Sequence, residues 1–219
     1  MQNRREILTT LAKATGALIL APRLIACSKP SDVSNPTSTL KEDLPRTLVS
    51  GWDPISFNKT RGNQGAIPES YWPSINGADG VLKHLGKHLP YIPQLDQSLI
   101  PEGHIALMWG DPSKGYAKHP NAAKGPDNNH QGHWYNWIKI RKAVDGEAEE
   151  TQSSYSNWPL VEASDNGKYL ALDSQTVEND GGRNTIYLAA LPSDIVKGDT
   201  VRIWAHCLTH GEYVDFMAT

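Results

Sequence analysis

From residue 81 onward the chain is a succession of short β-like runs, and no segment carries a long helical period. His104–Trp109 is one run, and residues 133–140 alternate with a period of two. Residues 169–172, 185–189 and 200–204 follow. Breakers stand between them: Asp165-Asn166-Gly167, Gly181-Gly182 and Lys197-Gly198-Asp199. This pattern predicts an all-β fold, an antiparallel β-sandwich with one core, over residues 81–219. The polar segment 143–156 is expected to be a surface loop. Residues 44–80 hold Trp52, Phe57 and Trp72 among many glycines and prolines. They read as an ordered but irregular lead-in packed on the sandwich.

The first 26 residues do not read as fold. Arg4 and Arg5 precede a mildly apolar run that ends Leu24-Ile25-Ala26-Cys27. The paired arginines resemble a twin-arginine export signal, and the run before Cys27 resembles a bacterial lipobox. Lys13, Gly16, Pro22 and Arg23 disfavour an ordinary amphipathic helix here and leave the run too weakly apolar to span a bilayer. The expectation is cleavage before Cys27, lipidation of that thiol, and a Ser-, Thr-, Pro- and Asn-rich flexible tether over 27–43. The protein would then work outside the cytoplasm, in the periplasm or its equivalent, reaching the membrane only through its lipid. Cleavage removes Arg4, Arg5, Lys13, Arg23 and Glu6, so the formal charge falls from −3 to −6. An acidic body argues against nucleic acid as a partner.

If Cys27 carries lipid, Cys207 has no disulfide partner within the chain, because the sequence holds two cysteines. It follows the β-type run 201–205 and stands three residues before His210, with Gly211 next. A Cys-x-x-His on such a turn can place sulfur and nitrogen on one metal ion. The eight histidines are His84, His88, His104, His119, His130, His133, His206 and His210. Any one of them taken alone reads as a surface or hydrogen-bonding residue. His206 neighbours Cys207 on a strand and is expected to face the other way. His84 reads as surface or as packed behind the site, and His104 as structural. Trp134, Trp137 and Trp204 read as core, with Trp109 a candidate to line the site.

Four pieces of the chain occur in the order found in superoxide reductases of the neelaredoxin and desulfoferrodoxin group. They are Gly86-Lys87-His88-Leu89-Pro90, His119-Pro120-Asn121, His133-Trp134-Tyr135-Asn136-Trp137-Ile138 and Cys207-Leu208-Thr209-His210-Gly211. The resemblance spans roughly residues 80–215. It implies an immunoglobulin-like β-sandwich holding one iron, Fe2+ or Fe3+. His88, His119, His133 and His210 would be the equatorial nitrogen ligands and Cys207 the axial thiolate. It also implies reduction of superoxide to hydrogen peroxide, with Lys87 as the cation near an open sixth position. Lacking a rubredoxin-like cysteine set, the chain would need a separate electron donor. Homo-oligomers occur in that family.

The chain departs from the family in three places. Gly86 stands where the family carries glutamate, so water or a vacancy is expected at the sixth position of the oxidised site. The interval between His119 and His133 is long, and His130 inside it competes for the ligand role. His133 is preferred because it precedes the Trp-Tyr-Asn-Trp-Ile strand as the family motif does. The flanks Leu208-Thr209 and Glu212-Tyr213 also differ. Two other classes of function compete. One is a cupredoxin-like electron-transfer protein with Met217 as an axial copper ligand. The other is a non-catalytic metal-binding lipoprotein.

Overall fold

A computed structural model describes residues 44–126, 130–156, 168–172 and 182–219. Arg4, Arg5, Cys27 and the tether 27–43 lie outside the described residues. Among the described residues no helix is long and apolar enough to cross a membrane.

The alternation along the last long run shows how the core is built. Val201, Ile203, Ala205 and Cys207 are buried in one cluster with Ile105, Leu107, Ile138 and Ile140. Arg202, Trp204 and His206 fall between them and take the opposite face, as a period of two requires. The strands are β1 (Pro90–Tyr91), β2 (His104–Trp109), β3 (Tyr135–Lys142), β4 (Glu150–Ser154), β5 (Tyr169–Ala171), β6 (Thr185–Ala190), β7 (Thr200–Cys207) and β8 (Gly211–Ala218). They form two four-stranded sheets, ordered β1-β2-β6-β5 and β4-β3-β7-β8. Among the described residues every pairing is antiparallel. The all-β sandwich expected from the runs is the fold found. Each fully buried isoleucine or leucine between the sheets contributes about 1.5–3 kcal/mol.

Two local expectations are corrected, and one strand, β8, was not foreseen. Within 143–156, Glu150–Ser154 is a strand and not a loop. It pairs with β3, and its polar residues span to the other sheet: Thr151 Oγ1 donates to the Ala190 carbonyl at 2.6 Å, and the Ala190 N–H donates to Ser153 Oγ at 2.8 Å. β8 carries Glu212 and Asp215, which interrupt its apolar pattern, so it had no strand signature. The lead-in is helical rather than irregular, and it runs past residue 80 to His88, so the strands begin at Pro90 and not at Val81. Helix α1 (Pro54–Arg61) has Pro54 in its first turn, and the Asp53 carboxylate accepts from the N–H groups of Ile55 and Ser56 at 3.0 and 3.2 Å. A short α2 (Trp72–Asn76) follows, then a π-helical turn Gly80–Leu85 and a 3-10 turn Gly86–His88. Short, Gly- and Pro-broken helices show no sustained period, so the capping pair Asp53-Pro54 is their clearest trace.

The lead-in is tied to the sandwich at β8. The Asn58 amide donates to the Val214 carbonyl at 2.7 Å and accepts from the Val214 N–H at 2.8 Å. One side chain thereby satisfies backbone groups that an edge strand would leave open. Leu44 and Phe57 cover Trp204 and Val214, while Ile67, Ile75 and Leu85 pack with Tyr213.

Candidate metal centre

The donor cluster sits where β7 ends, because Cys207 is the last inward-facing residue of that strand. β7 pairs with β8 down to Cys207 opposite Gly211, and His210 lies in the turn between them. Gly211 has φ +86°, and a Cβ there would collide with the Ala66 carbonyl oxygen of the lead-in. The turn is thus pressed against the helical segment, which brings His88 to the same point. His119 arrives on the loop after β2, its N–H donating to the Trp109 carbonyl at 3.0 Å. His133 is fixed by a two-way backbone bridge with Ala122, both bonds 2.9 Å.

Hydrogen bonds decide which ring nitrogen His88 and His119 offer. His88 Nδ1–H donates to the His84 carbonyl at 2.6 Å, and its Nε2 is buried without a partner. Asn121 Nδ2 donates to the Gly182 carbonyl at 2.8 Å, which turns its Oδ1 toward His119 Nδ1–H at 3.2 Å. The Tyr187 hydroxyl also donates to that Oδ1, at 2.7 Å. His119 Nε2 is left 3.5 Å from Cys207 Sγ, and His210 Nδ1 is 3.6 Å from it. His133 Nε2 is buried without a partner. Orphaned buried nitrogens converging on one point are costly unless something binds there.

One donor atom from each of His88, His119, His133, Cys207 and His210 lies within 4.8 Å of all the others. Bonds of about 2.0–2.3 Å to imidazole nitrogen and thiolate sulfur put opposite donors around one ion no more than ~4.6 Å apart. The spread therefore suits a single ion, and this buried group could hold one. Burial, then the His210 neighbour, drives His88 well below the ordinary imidazole range, and burial and His133 do the same to His119. Burial and Lys87 lower His133 to about 3, and burial and His133 lower His210. The four rings are neutral, with lone pairs free to bind. Burial pushes the Cys207 thiol up to about 12, against the His210 and Thr209 N–H groups and Lys87, which pull it down. A cation among the donors would reverse the balance and hold the thiolate.

All five residues expected as ligands come together. His130 does not join them: it is exposed, with φ 59°. His206 turns away as expected, donating from Nδ1 to Asn136 Oδ1 at 2.6 Å and lying parallel to Trp137. Trp109 is buried and stacks on Tyr135 at 4.1 Å, one ring removed from His119. Lys87 is half-buried beside His88; burial lowers its pKa and Cys207 raises it. A Cβ at Gly86 would strike the Tyr116 ring, which fills the space a side chain would need. Met217 lies opposite Val201, six positions down the ladder from the Gly211–Cys207 pair and about 20 Å away. It has no place in the cluster. His84, Tyr213 and Asn121 around the donors had no ligand-like signal of their own, although Asn121 belongs to the His-Pro-Asn piece.

No protein-family model, curated protein or solved structure matches the chain. The case for function therefore rests on the donor geometry and on the four sequence pieces that meet in it.

Proposed function

We propose that this chain is a mononuclear non-haem iron oxidoreductase that reduces superoxide to hydrogen peroxide with electrons from a separate donor protein. The observation that carries the reading is the five-donor set of four neutral imidazoles and one buried cysteine. Five donors exceed the four that zinc takes in structural sites. Iron held by these five residues could still take a small anion as a further ligand. Iron held there would supply the single electron that superoxide needs. The balance is one superoxide, one electron and two protons giving one hydrogen peroxide.

The chain's own residues have distinct parts in this reading. The imidazoles, being neutral, keep the net charge of the centre low, so that a reduced ion is tolerated in a buried place. Cys207 would hold the iron through its thiolate and supply electron density to it. Lys87 gives an acidic protein a local cation that draws in an anionic substrate. The copper reading loses its axial candidate with Met217 at the far end of β8. The proposal extends to export and lipidation at Cys27.

The test is stopped-flow mixing of the reduced, iron-loaded protein with superoxide. Fast oxidation with one peroxide released per superoxide is expected. Iron content without accelerated oxidation would leave a metal carrier, and a type 1 cupric resonance in native protein without iron would overturn the proposal. Lys87→Ala should slow capture about tenfold and flatten its dependence on ionic strength, with metal content unchanged.

A further inference from the structure

His84 lies outside the five donors, yet it is 3% exposed and its polar atoms all reach structures that hold the centre. Its ring stands 5.0 Å from the rings of both His88 and His210. Its Nδ1 is 3.0 Å from Ser74 Oγ, and its Nε2 is 3.1 Å from the Tyr213 hydroxyl. Its carbonyl accepts from His88 Nδ1–H. The Tyr213 hydroxyl donates to the His210 carbonyl at 3.2 Å, and the Tyr213 ring stacks on His88 at 4.3 Å with an interplanar angle of 8°.

Proton counting fixes the tautomer. A phenol has one proton, and Tyr213 places it on the His210 carbonyl. Tyr213 must then accept from His84 Nε2–H. His84 Nδ1 keeps its lone pair and accepts from the Ser74 hydroxyl. The bonds run one way, from Ser74 on α2 to His84, Tyr213 and the turn that carries His210. The chain ends on a carbonyl oxygen, which cannot pass a proton onward, so it is suited to orientation and not to proton delivery.

We infer that His84 is a positioning residue of the metal centre: as the neutral Nε2–H tautomer it locks Tyr213 against His88 and His210. It sets the planes of two of the four imidazoles and ties them to the helical lead-in. The inference rests on the metal-centre part of the proposed function and needs neither iron nor superoxide.

Cobalt(II) binding to the full chain tests it, with affinity from chelator competition and geometry from the visible d–d and thiolate charge-transfer bands. In His84→Gln the amide nitrogen reaches the place of Nε2 and can donate to Tyr213. In His84→Asn the shorter amide reaches only the place of Nδ1. We expect His84→Gln to keep the wild-type spectrum and an affinity within about threefold. His84→Asn and His84→Phe should weaken binding by about 10–100-fold and shift the bands. Tyr213→Phe should reproduce that loss and add little to His84→Asn, since the two act through one bond. Wild-type affinity and spectrum in His84→Asn would overturn the inference, as would equal impairment of the Gln and Asn variants. If His84→Phe does not fold, the Gln and Asn pair with Tyr213→Phe decides. Failure of the wild-type chain to bind cobalt would overturn the metal-centre reading itself, and this inference with it.

Discussion

The donor cluster has two walls, and they are held by different physics. The sandwich wall carries Cys207 and His133. There the backbone does the holding: β7 is paired on both sides, and His133 is pinned by its bridge to Ala122. The other wall is the helical lead-in, which carries His88. There side chains hold it, through His84, Ser74 and Tyr213 and through the small cluster of Ile67, Ile75 and Leu85. A ladder places a ligand by period alone. A wall of short helices needs packing and named hydrogen bonds, because short helices have little stability of their own. The second wall should therefore yield first.

The largest effect should come from the sandwich wall, where one atom cannot be replaced. Cys207→Ser should lower metal affinity by more than the about 10–100-fold that removing an outer partner costs. It should also abolish the thiolate-to-metal charge-transfer band while leaving the far-ultraviolet circular dichroism intact. Persistence of the band would remove Cys207 from the ligand set.

Cavity variants compare the walls directly. Ile75→Ala and Ile140→Ala each delete a side chain that is fully buried, at 1% and 0% exposure, and each should cost about 2–5 kcal/mol of stability. Only Ile75→Ala is expected to weaken metal binding as well, because it loosens the wall that carries His88. Thermal denaturation of the metal-free protein and chelator competition measure the two quantities separately. Equal losses of affinity would erase the distinction.

A smaller effect is expected at Gly86. Gly86→Ala should cost about 1–3 kcal/mol through overpacking against Tyr116. In a Tyr116→Ala background most of that cost should vanish, and a double-mutant cycle in urea measures the coupling. Additive costs would mean that Tyr116 is not what excludes a side chain at Gly86.

The smallest effect concerns pH. Burial lowers His84 on the helical wall and His206 on the sandwich to about 4. With the folded value below the unfolded 6.5, the unfolded chain takes up the proton first. Stability present above pH 6.5 is therefore lost as the pH falls toward 4. His84→Gln and His206→Gln should each flatten this acid limb in the metal-free protein, as read from urea midpoints between pH 7 and 4. An unchanged limb in both variants would place the acid sensitivity elsewhere.

Much of the site was legible before any fold was known. The Cys207 and His210 pair, and the histidines beside His-Pro-Asn and the Trp-Tyr-Asn-Trp-Ile run, stand in ordered sequence pieces, and all of them converge. His133 was preferred over His130 because it precedes a strand as the histidine of the family motif does. The geometry agrees, since His130 sits exposed in a left-handed turn. What was not legible were the partners that aim the ligands. Asn121, His84 and Tyr213 stand close in sequence to the ligands they touch, and His84 reads from sequence as surface or as packed behind the site. What aims them is distant, Gly182 and Tyr187 for Asn121 and the His84–Tyr213 bond for the other two, and no local pattern encodes such contacts. The polar strand Glu150–Ser154 escaped for a related reason, because its side chains are satisfied by the other sheet and by solvent.

By itself, the sequence determined the all-β architecture, through a period of two between turn residues, and supplied the donor types, imidazole and thiol. The choice of these five among the nine candidate donors, eight histidines and Cys207, was what the resemblance implied. Only the tertiary structure decided that the five donor atoms meet within 4.8 Å, which ring nitrogen His88 and His119 present, and that a helical lead-in closes one side. Those outcomes depend on burial and on hydrogen bonds between distant segments, and these exist only once the two sheets and the lead-in have packed.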